Sequence, residues 1–367
     1  MTIAIAAVLS AGLALSLANG ANDNFKGVAT LYGAGVLRYW PALALATLAT
    51  LAGSLAAMVG GSALVASFSG KGLVPDAIVA SPSFMTAVGA AAAVTVLLAS
   101  WRGLPISTTH ALLGALVGVG LVRAGTAVDV SRLSGAFALP LLASPLCAAA
   151  LAGAQWPAAR RLRARSAAVA NVCLCVEASP VLAGAGAELA FPRAAAGLTV
   201  DHVEACAARG AEPLASASPR TAMDGLHVLS AAAVSFARGL NDTPKLAPLL
   251  LGTGLLDTGS ALVVVGIVMA LGGLVGARRV GETMSHRIST LSHAEGLVGN
   301  LTTAVLVLGA SRYGLPVSTT HVSCGAVFGI GAASGRVHWD VARRIGLAWV
   351  VTLPFAAVLG MMFAGIF

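Results

Sequence analysis

The chain has 367 residues, of which 57% are hydrophobic and 10% charged, and its formal net charge is +8. A soluble globular domain carries about 25% charged residues, so the composition excludes that class and points to a polytopic membrane protein. In such a chain a basic excess reflects the gathering of Lys and Arg in cytoplasmic loops, not a nucleic-acid partner.

Apolar runs recur along the chain at Ile3–Ala18, Ala42–Val59, Met85–Ala99, Ala111–Val122, Ala136–Ala154, Ala261–Val275, Thr303–Ala310 and Ile345–Phe367. A hydrocarbon core of ~30 Å takes about 20 helical residues to cross. Several runs are therefore full spans and several are short. Short runs predict broken or re-entrant segments, which a bilayer tolerates only where they line a cavity. The first run has no basic stretch ahead of it and is expected to be a retained span, not a cleaved leader. It is slightly short, and reads as half of a broken helix that continues through Val28–Leu37.

The end of this run carries Gly20-Ala21-Asn22-Asp23-Asn24-Phe25-Lys26, and the same pattern returns as Gly239-Leu240-Asn241-Asp242-Thr243-Pro244-Lys245. Charges inside apolar segments are costly, and charges placed there twice mark a site. Further along, Leu104-Pro105-Ile106-Ser107-Thr108-Thr109-His110 returns as Leu315-Pro316-Val317-Ser318-Thr319-Thr320-His321. The offsets are 219 residues for the Asn-Asp pair and 211 for the Ser-Thr-Thr-His pair. Gly114, Gly118 and Gly120 sit opposite Gly325, Gly329 and Gly331. Proline suits the start of a helix and not its interior. Each Ser-Thr-Thr-His is therefore expected to open a helix entered from a Gly-Leu-Pro turn. In the second half Leu297–Ala310 and Val322–Ala333 then form the arms of a hairpin.

Between the halves, residues 155–222 open with Arg160, Arg161, Arg163 and Arg165, which places that end in the cytoplasm. This stretch reads as a tether with one strand at Val172–Glu177. Arg278, Arg279 and Arg287 place the loop before the second Ser-Thr-Thr-His in the cytoplasm too, whereas the matching stretch Phe68–Pro82 is nearly uncharged and is expected outside. Five membrane segments per half satisfy these placements. Five is odd, so the halves insert upside down relative to each other. The expected fold is an all-α polytopic membrane protein of two inverted-topology repeats, 1–154 and 223–367, with broken or re-entrant hairpins. That is the architecture of secondary transporters, with the site at the repeat interface. Cys147, Cys173, Cys175, Cys206 and Cys324 form no CxxC pair and read as packing residues.

A helix start offers unpaired amides and partial positive charge, and Ser-Thr-Thr adds hydroxyls, a set suited to an oxyanion. Asp23 and Asp242 would repel that anion unless a cation, sodium or a proton, enters with it. Such coupling is symport. Asn22 and Asn241 add amide donors and carbonyl oxygens. Lys26 and Lys245, three residues beyond each Asp, either pair with it, touch the anion or snorkel to the interface. His110 and His321 either cap and pack or modulate the site. His293, Glu295 and Asn300 have no polar counterparts in the first half and are candidates for a single extra cation or proton site.

These residues resemble the inorganic phosphate transporter family. The resemblance rests on Gly20–Asp23, Gly239–Asp242 and the two Pro-x-Ser-Thr-Thr-His stretches in order, and covers nearly the whole chain outside the central loop. It implies an inverted-repeat carrier of phosphate with sodium ions or protons, in the cytoplasmic membrane. It would gather Asn22, Asp23, Ser107, Thr108, Thr109, Asn241, Asp242, Ser318, Thr319 and Thr320 around phosphate and its coupling ions, with sodium at Asp23 and Asp242. It implies no enzymatic activity and no cofactor. The expected partners are phosphate, the coupling cation, the bilayer and a second copy in a homodimer. Members usually continue Asn-Asp-Val-Ala-Asn. Here Lys26 and Lys245 replace the second Asn, which adds two positive charges, casts doubt on sodium coordination and leaves room for sulfate. A Lys paired with each Asp would do part of what sodium does elsewhere, with fewer coupled cations or proton coupling. Two other classes remain: an intramembrane enzyme using Ser107 or Ser318 with a nearby His, which the duplication disfavours, and a channel, which the paired acids disfavour.

Overall fold

The computed structural model describes residues 2–168, 172–179, 195–202, 208, 212–217, 219–287 and 292–367. Contacts divide the chain into two compact units, Met1–Pro157 with His227–Phe367, and Ala158–Leu226. The first unit is helical. In the first half its long helices are α1 Thr2–Asp23, α2 Tyr39–Gly60, α3 Pro82–Trp101, α4 Thr108–Ala124 and α5 Leu139–Ala168. In the second half they are α6 Pro219–Leu251, α7 Thr258–Gly276, α8 His293–Arg312, α9 Thr319–Ser334 and α10 Trp339–Ile366. Among the described residues eight helical stretches are long and apolar enough to cross a membrane. At ~1.5 Å per residue, the 22 residues of α1 cover a hydrocarbon core.

Local chemistry sets the ends. Ser81 caps α3, its hydroxyl accepting the Phe84 amide hydrogen bond at 3.4 Å, with Pro82 in the first turn. Asp257 caps α7 by accepting from the Ser260 amide at 2.8 Å, and that bond holds its carboxyl below the usual carboxylate range. Between α3 and α4, and again between α8 and α9, the chain turns through a glycine with positive φ, Gly103 at 68° and Gly314 at 65°. Pro105 and Pro316 lie two residues before the capping serines, in the non-helical Gly-Leu-Pro turn that enters each helix.

The duplication is visible as paired packing. A Cβ on Gly20 would meet the carbonyl oxygen of Met269, and one on Gly239 would meet that of Thr50. A Cβ on Gly53 would meet the Phe236 carbonyl, and one on Gly272 that of Leu17. All four pairings convert into one another by the 219-residue offset. Glycine lets these backbones approach closely. Helix directions follow from the same contacts. Leu17 meets Gly272 and Ala21 meets Gly276, so α1 and α7 run parallel. Ser54 meets Gly266 and Met58 meets Gly259, so α7 runs antiparallel to α2, its own counterpart. Counterparts running in opposite directions are compatible with an inverted repeat.

The first Asn-Asp sits at a break. After α1 the chain makes a 3-10 turn over Asn24–Val28 and a short helix over Ala29–Gly33. The second Asn-Asp lies inside the unbroken α6, which carries Pro244 and Pro248.

The unit Ala158–Leu226 contains a three-stranded antiparallel sheet in the order β2-β1-β3. Its strands are β1 Val172–Ser179, β2 Ala195–His202 and β3 Glu212–Ala217. The expected strand is present as β1, and the two it pairs with lie in Ala-rich sequence whose pattern does not announce them.

Candidate functional site

Each Ser-Thr-Thr-His begins a helix at the centre of the helical unit. Ser107 and Ser318 are the caps, their hydroxyls accepting from the His110 amide at 3.2 Å and the His321 amide at 3.3 Å. Each Oγ thus spends one lone pair on capping its helix. Loss of either cap, Ser107→Ala or Ser318→Ala, is expected to cost about 1 kcal/mol, read as a lowered unfolding midpoint.

The two asparagines tie each hairpin to its own repeat. Asn22 Nδ2 donates to Ser100 Oγ and to the Leu104 carbonyl, both at 3.0 Å. Asn241 Nδ2 donates to the Val317 carbonyl at 3.3 Å, and its Oδ1 accepts from Ser311 Oγ at 3.2 Å. Ser100 and Ser311 are themselves counterparts.

The carboxylates and lysines join the halves. Asp23 is ion-paired with Lys26, and its Oδ2 accepts from Thr108 Oγ1 and Asn19 Nδ2, each at 3.1 Å. Lys26 Nζ also donates to Asn22 Oδ1 at 2.7 Å, the Ile106 carbonyl at 2.8 Å and, across the interface, Thr320 Oγ1 at 2.7 Å. Lys245 Nζ repeats this pattern with Asp242 Oδ1 at 3.3 Å, the Val317 carbonyl at 2.6 Å and Thr109 Oγ1 at 3.1 Å. Neither lysine snorkels, since both are at most 5% exposed. Thr319 is buried at the position matching Thr108.

One residue of the cluster was not anticipated. Arg238 is 1% exposed. Its guanidinium donates to Asn24 Oδ1 at 3.0 Å, Thr50 Oγ1 at 3.2 Å and Asn19 Oδ1 at 3.0 Å, and its Nε lies 3.7 Å from Asp242 Oδ2. The signal was an arginine inside an apolar segment four residues before Asp242. Arg238 and Asn19 are counterparts by the 219-residue offset. His110 and His321 are counterparts too, and their ring centroids are 4.5 Å apart. Related residues touch each other only near a two-fold axis. The pseudo-two-fold therefore passes between these pairs, and Asp23, Asp242, Lys26 and Lys245 surround it.

The symmetry fails on one side of Lys26. A cleft there is lined by Lys26, Thr30, Ser285, Asn300, Thr303 and Ser323, among others. The counterparts of Thr30, Asn300, Thr303 and Ser323 are Leu249, Gly89, Ala92 and Leu112. Of these, Leu249, Ala92 and Leu112 are buried apolar residues, and a Cβ on Gly89 would touch Ala11. Asn300 is held here by Thr30 and Ser230, both at 3.2 Å. Glu295 is elsewhere. It accepts from the Ser292 amide at 2.7 Å at the start of α8 and is ion-paired with Arg336, and His293 opens the same helix. Of the asymmetric candidates, Glu295 is thus in a helix-end ion pair and Asn300 is in the separate cleft. Around Asp242 a small gap is lined by Asn19, Thr108, Thr109 and Lys245. There Asp242 Oδ2 is a buried oxygen that receives no hydrogen bond among the described residues.

A family model described as the phosphate transporter family matches residues 19–360. Putative phosphate permeases of Mycobacterium bovis and Mycobacterium tuberculosis are each 35% identical over 145 residues, covering 36% of this chain and only 26% of theirs. A putative phosphate permease of Thermococcus kodakarensis is 28% identical over 95% of this chain and 94% of its own. A solved structure titled the sodium-dependent phosphate transporter aligns with a TM-score of 0.76 at 22% identity, over 100% of this chain and 99% of that one. At that identity the likeness is one of fold.

Proposed function

Because the chain belongs to the phosphate transporter family, we propose that it is a secondary carrier that moves inorganic phosphate across the cytoplasmic membrane together with a cation. The amides and hydroxyls at the starts of α4 and α9 hold the oxyanion, with Asn22, Asn241, Lys26, Lys245 and Arg238 around it. The cleft beside Lys26 is the path to one side of the membrane. The buried Leu249, Ala92 and Leu112 close the equivalent path on the other side. The loop carrying Arg278, Arg279 and Arg287 makes the open side cytoplasmic under the positive-inside rule. Rocking one repeat against the other would exchange the two paths.

Asp242 Oδ2 is the observation that carries phosphate over sulfate. A buried carboxylate oxygen that receives no hydrogen bond among the described residues, 3.7 Å from Arg238 Nε and in the lining of the gap, is an acceptor open to a hydroxyl donor. Phosphate near neutral pH retains a hydroxyl that can donate to it, whereas sulfate only accepts. An acceptor left unpaired costs about 1–3 kcal/mol, so phosphate is favoured by roughly tenfold to a hundredfold.

The experiment is counterflow of labelled phosphate in proteoliposomes. Unlabelled phosphate on the opposite side is expected to accelerate exchange saturably, and sulfate to compete at least tenfold more weakly. No saturable counterflow would overturn phosphate carriage. Equal competition by sulfate would overturn the role of Asp242 as the discriminating acceptor.

A further inference from the structure

The oxygens gathered around each lysine form a cation's ligand set. A hard monovalent cation takes carboxylate, amide carbonyl, backbone carbonyl and hydroxyl oxygens. Around Lys26 Nζ these are supplied by Asp23, Asn22, Ile106 and Thr320. Around Lys245 Nζ they come from Asp242, Val317 and Thr109. Ile106 and Val317 are counterparts, as are Thr109 and Thr320, so three of the four ligands recur around Lys245, while Asn22 has no equivalent there because Asn241 Oδ1 accepts from Ser311. Each set is filled from within the chain by an ammonium group whose charge equals that of a sodium ion. Sodium in either of these two sets would have to displace Nζ, since the Oδ1 atoms of Asp23 and Asp242 and the neighbouring carbonyl and hydroxyl oxygens are already bonded to it.

We propose that Lys26 and Lys245 are tethered counter-ions, so that the oxyanion is carried without sodium and the coupling ion is the proton. This rests on the reading of the chain as a phosphate carrier. The net charge around the axis agrees. Arg238, Lys26 and Lys245 face Asp23 and Asp242, three cations against two carboxylates, which leaves one positive charge. A proton passed within either Lys-Asp pair does not change that total. A singly charged phosphate brings the loaded site to neutrality. A doubly charged one does so with one further monovalent positive charge, which a proton supplies without needing the oxygens held by Nζ.

The test compares sodium with choline at equal ionic strength, using the full-length chain in proteoliposomes for counterflow and in detergent for the unfolding midpoint. For the unsubstituted protein, phosphate counterflow is expected to differ by less than twofold between the two salts, and the midpoint not to move with sodium. An inward proton gradient alone is expected to drive accumulation. In Lys26→Ala or Lys245→Ala the oxygen set is vacated. Sodium is then expected to raise the midpoint and to speed any residual counterflow at least fivefold over choline. A tenfold sodium requirement in the unsubstituted protein, or a sodium-induced rise in its midpoint, overturns the proposal. Should the variants fail to fold, the unsubstituted comparison still decides. Absence of counterflow in both salts is failure of phosphate carriage itself, and the sodium effect on the midpoint then decides the tethered counter-ions separately.

Discussion

Asp23→Asn and Asp242→Asn are each expected to cut phosphate counterflow about a hundredfold, with Asp23→Asn the more destabilising of the two. The difference lies in what each carboxylate holds. Asp23 receives Lys26, Thr108 and Asn19. An amide at this position turns two donors of its own toward the groups that donate to it. Either change leaves a buried lysine ammonium without its counter-charge, Lys26 or Lys245, and breaking a buried ion pair on one side costs about 3–5 kcal/mol, so the difference between the variants rests on the hydrogen bonds that Asp23 alone receives. Asp242 uses Oδ1 for Lys245 and Asn241, while Oδ2 receives no hydrogen bond among the described residues. Asparagine can keep the occupied oxygen, and its NH2 then stands at the position 3.7 Å from Arg238 Nε. Lys245 keeps the Val317 carbonyl and Thr109, and Arg238 keeps Asn24, Thr50 and Asn19. Both changes raise the site's charge and remove a group that meets the anion or its proton. Truncating one member of a buried charge pair costs about 2–5 kcal/mol of binding, so counterflow is expected to fall by about a hundredfold. Unfolding midpoints in detergent separate the two variants, and counterflow reads the site. Two variants that exchange phosphate at the unsubstituted rate would remove both carboxylates from the path.

Much of this site was legible because it is written twice. The polar heptads at Leu104–His110 and Leu315–His321 repeat at an offset close to that of the Asn-Asp motifs, and the five-segment parity predicts an inversion with which the helix directions agree. What is not duplicated was harder to see. Arg238 escaped notice because its counterpart is Asn19, and a search for matched pairs passes over a charge opposite an amide. The fate of Lys26 and Lys245 depended on where their chains lead Nζ. Nothing local distinguishes an ammonium that reaches the interface from one bonded to Thr320 or Thr109 of the opposite repeat. The cleft was hidden for a similar reason. Asn300 could be seen as asymmetric, but only packing shows that Thr30, from the other half, meets it. Glu295 misled because a glutamate three residues into a helix also serves the helix end, and Arg336, 41 residues away, supplies its counter-charge.

Gly20→Ala and Gly239→Ala are expected to destabilise the protein by about 1–3 kcal/mol each, and by similar amounts. The sign is informative, because alanine is favoured over glycine by about 1 kcal/mol inside a helix. A site with room would gain stability. Here the added Cβ would run into the Met269 carbonyl in one case and the Thr50 carbonyl in the other. Both obstacles are helix backbone, so neither can swing aside as a flexible side chain would. Relief must come from separating α1 from α7, or α6 from α2. Gly20 and Gly239 each precede their aspartate by three residues, so that separation moves Asp23 or Asp242 relative to the hairpin starts. Counterflow should fall in both variants beyond what the stability loss explains. Gly60→Ala, where nothing lies within 4 Å of the added Cβ, is the control and should be neutral or slightly stabilising. Equality of the two effects is the sharper demand. An inverted repeat makes the α1–α7 and α6–α2 crossings the same contact seen twice. If Gly20→Ala proved silent while Gly239→Ala unfolded the protein, the equivalence of the crossings would fail, and the axis between Asn19 and Arg238 would fail with it.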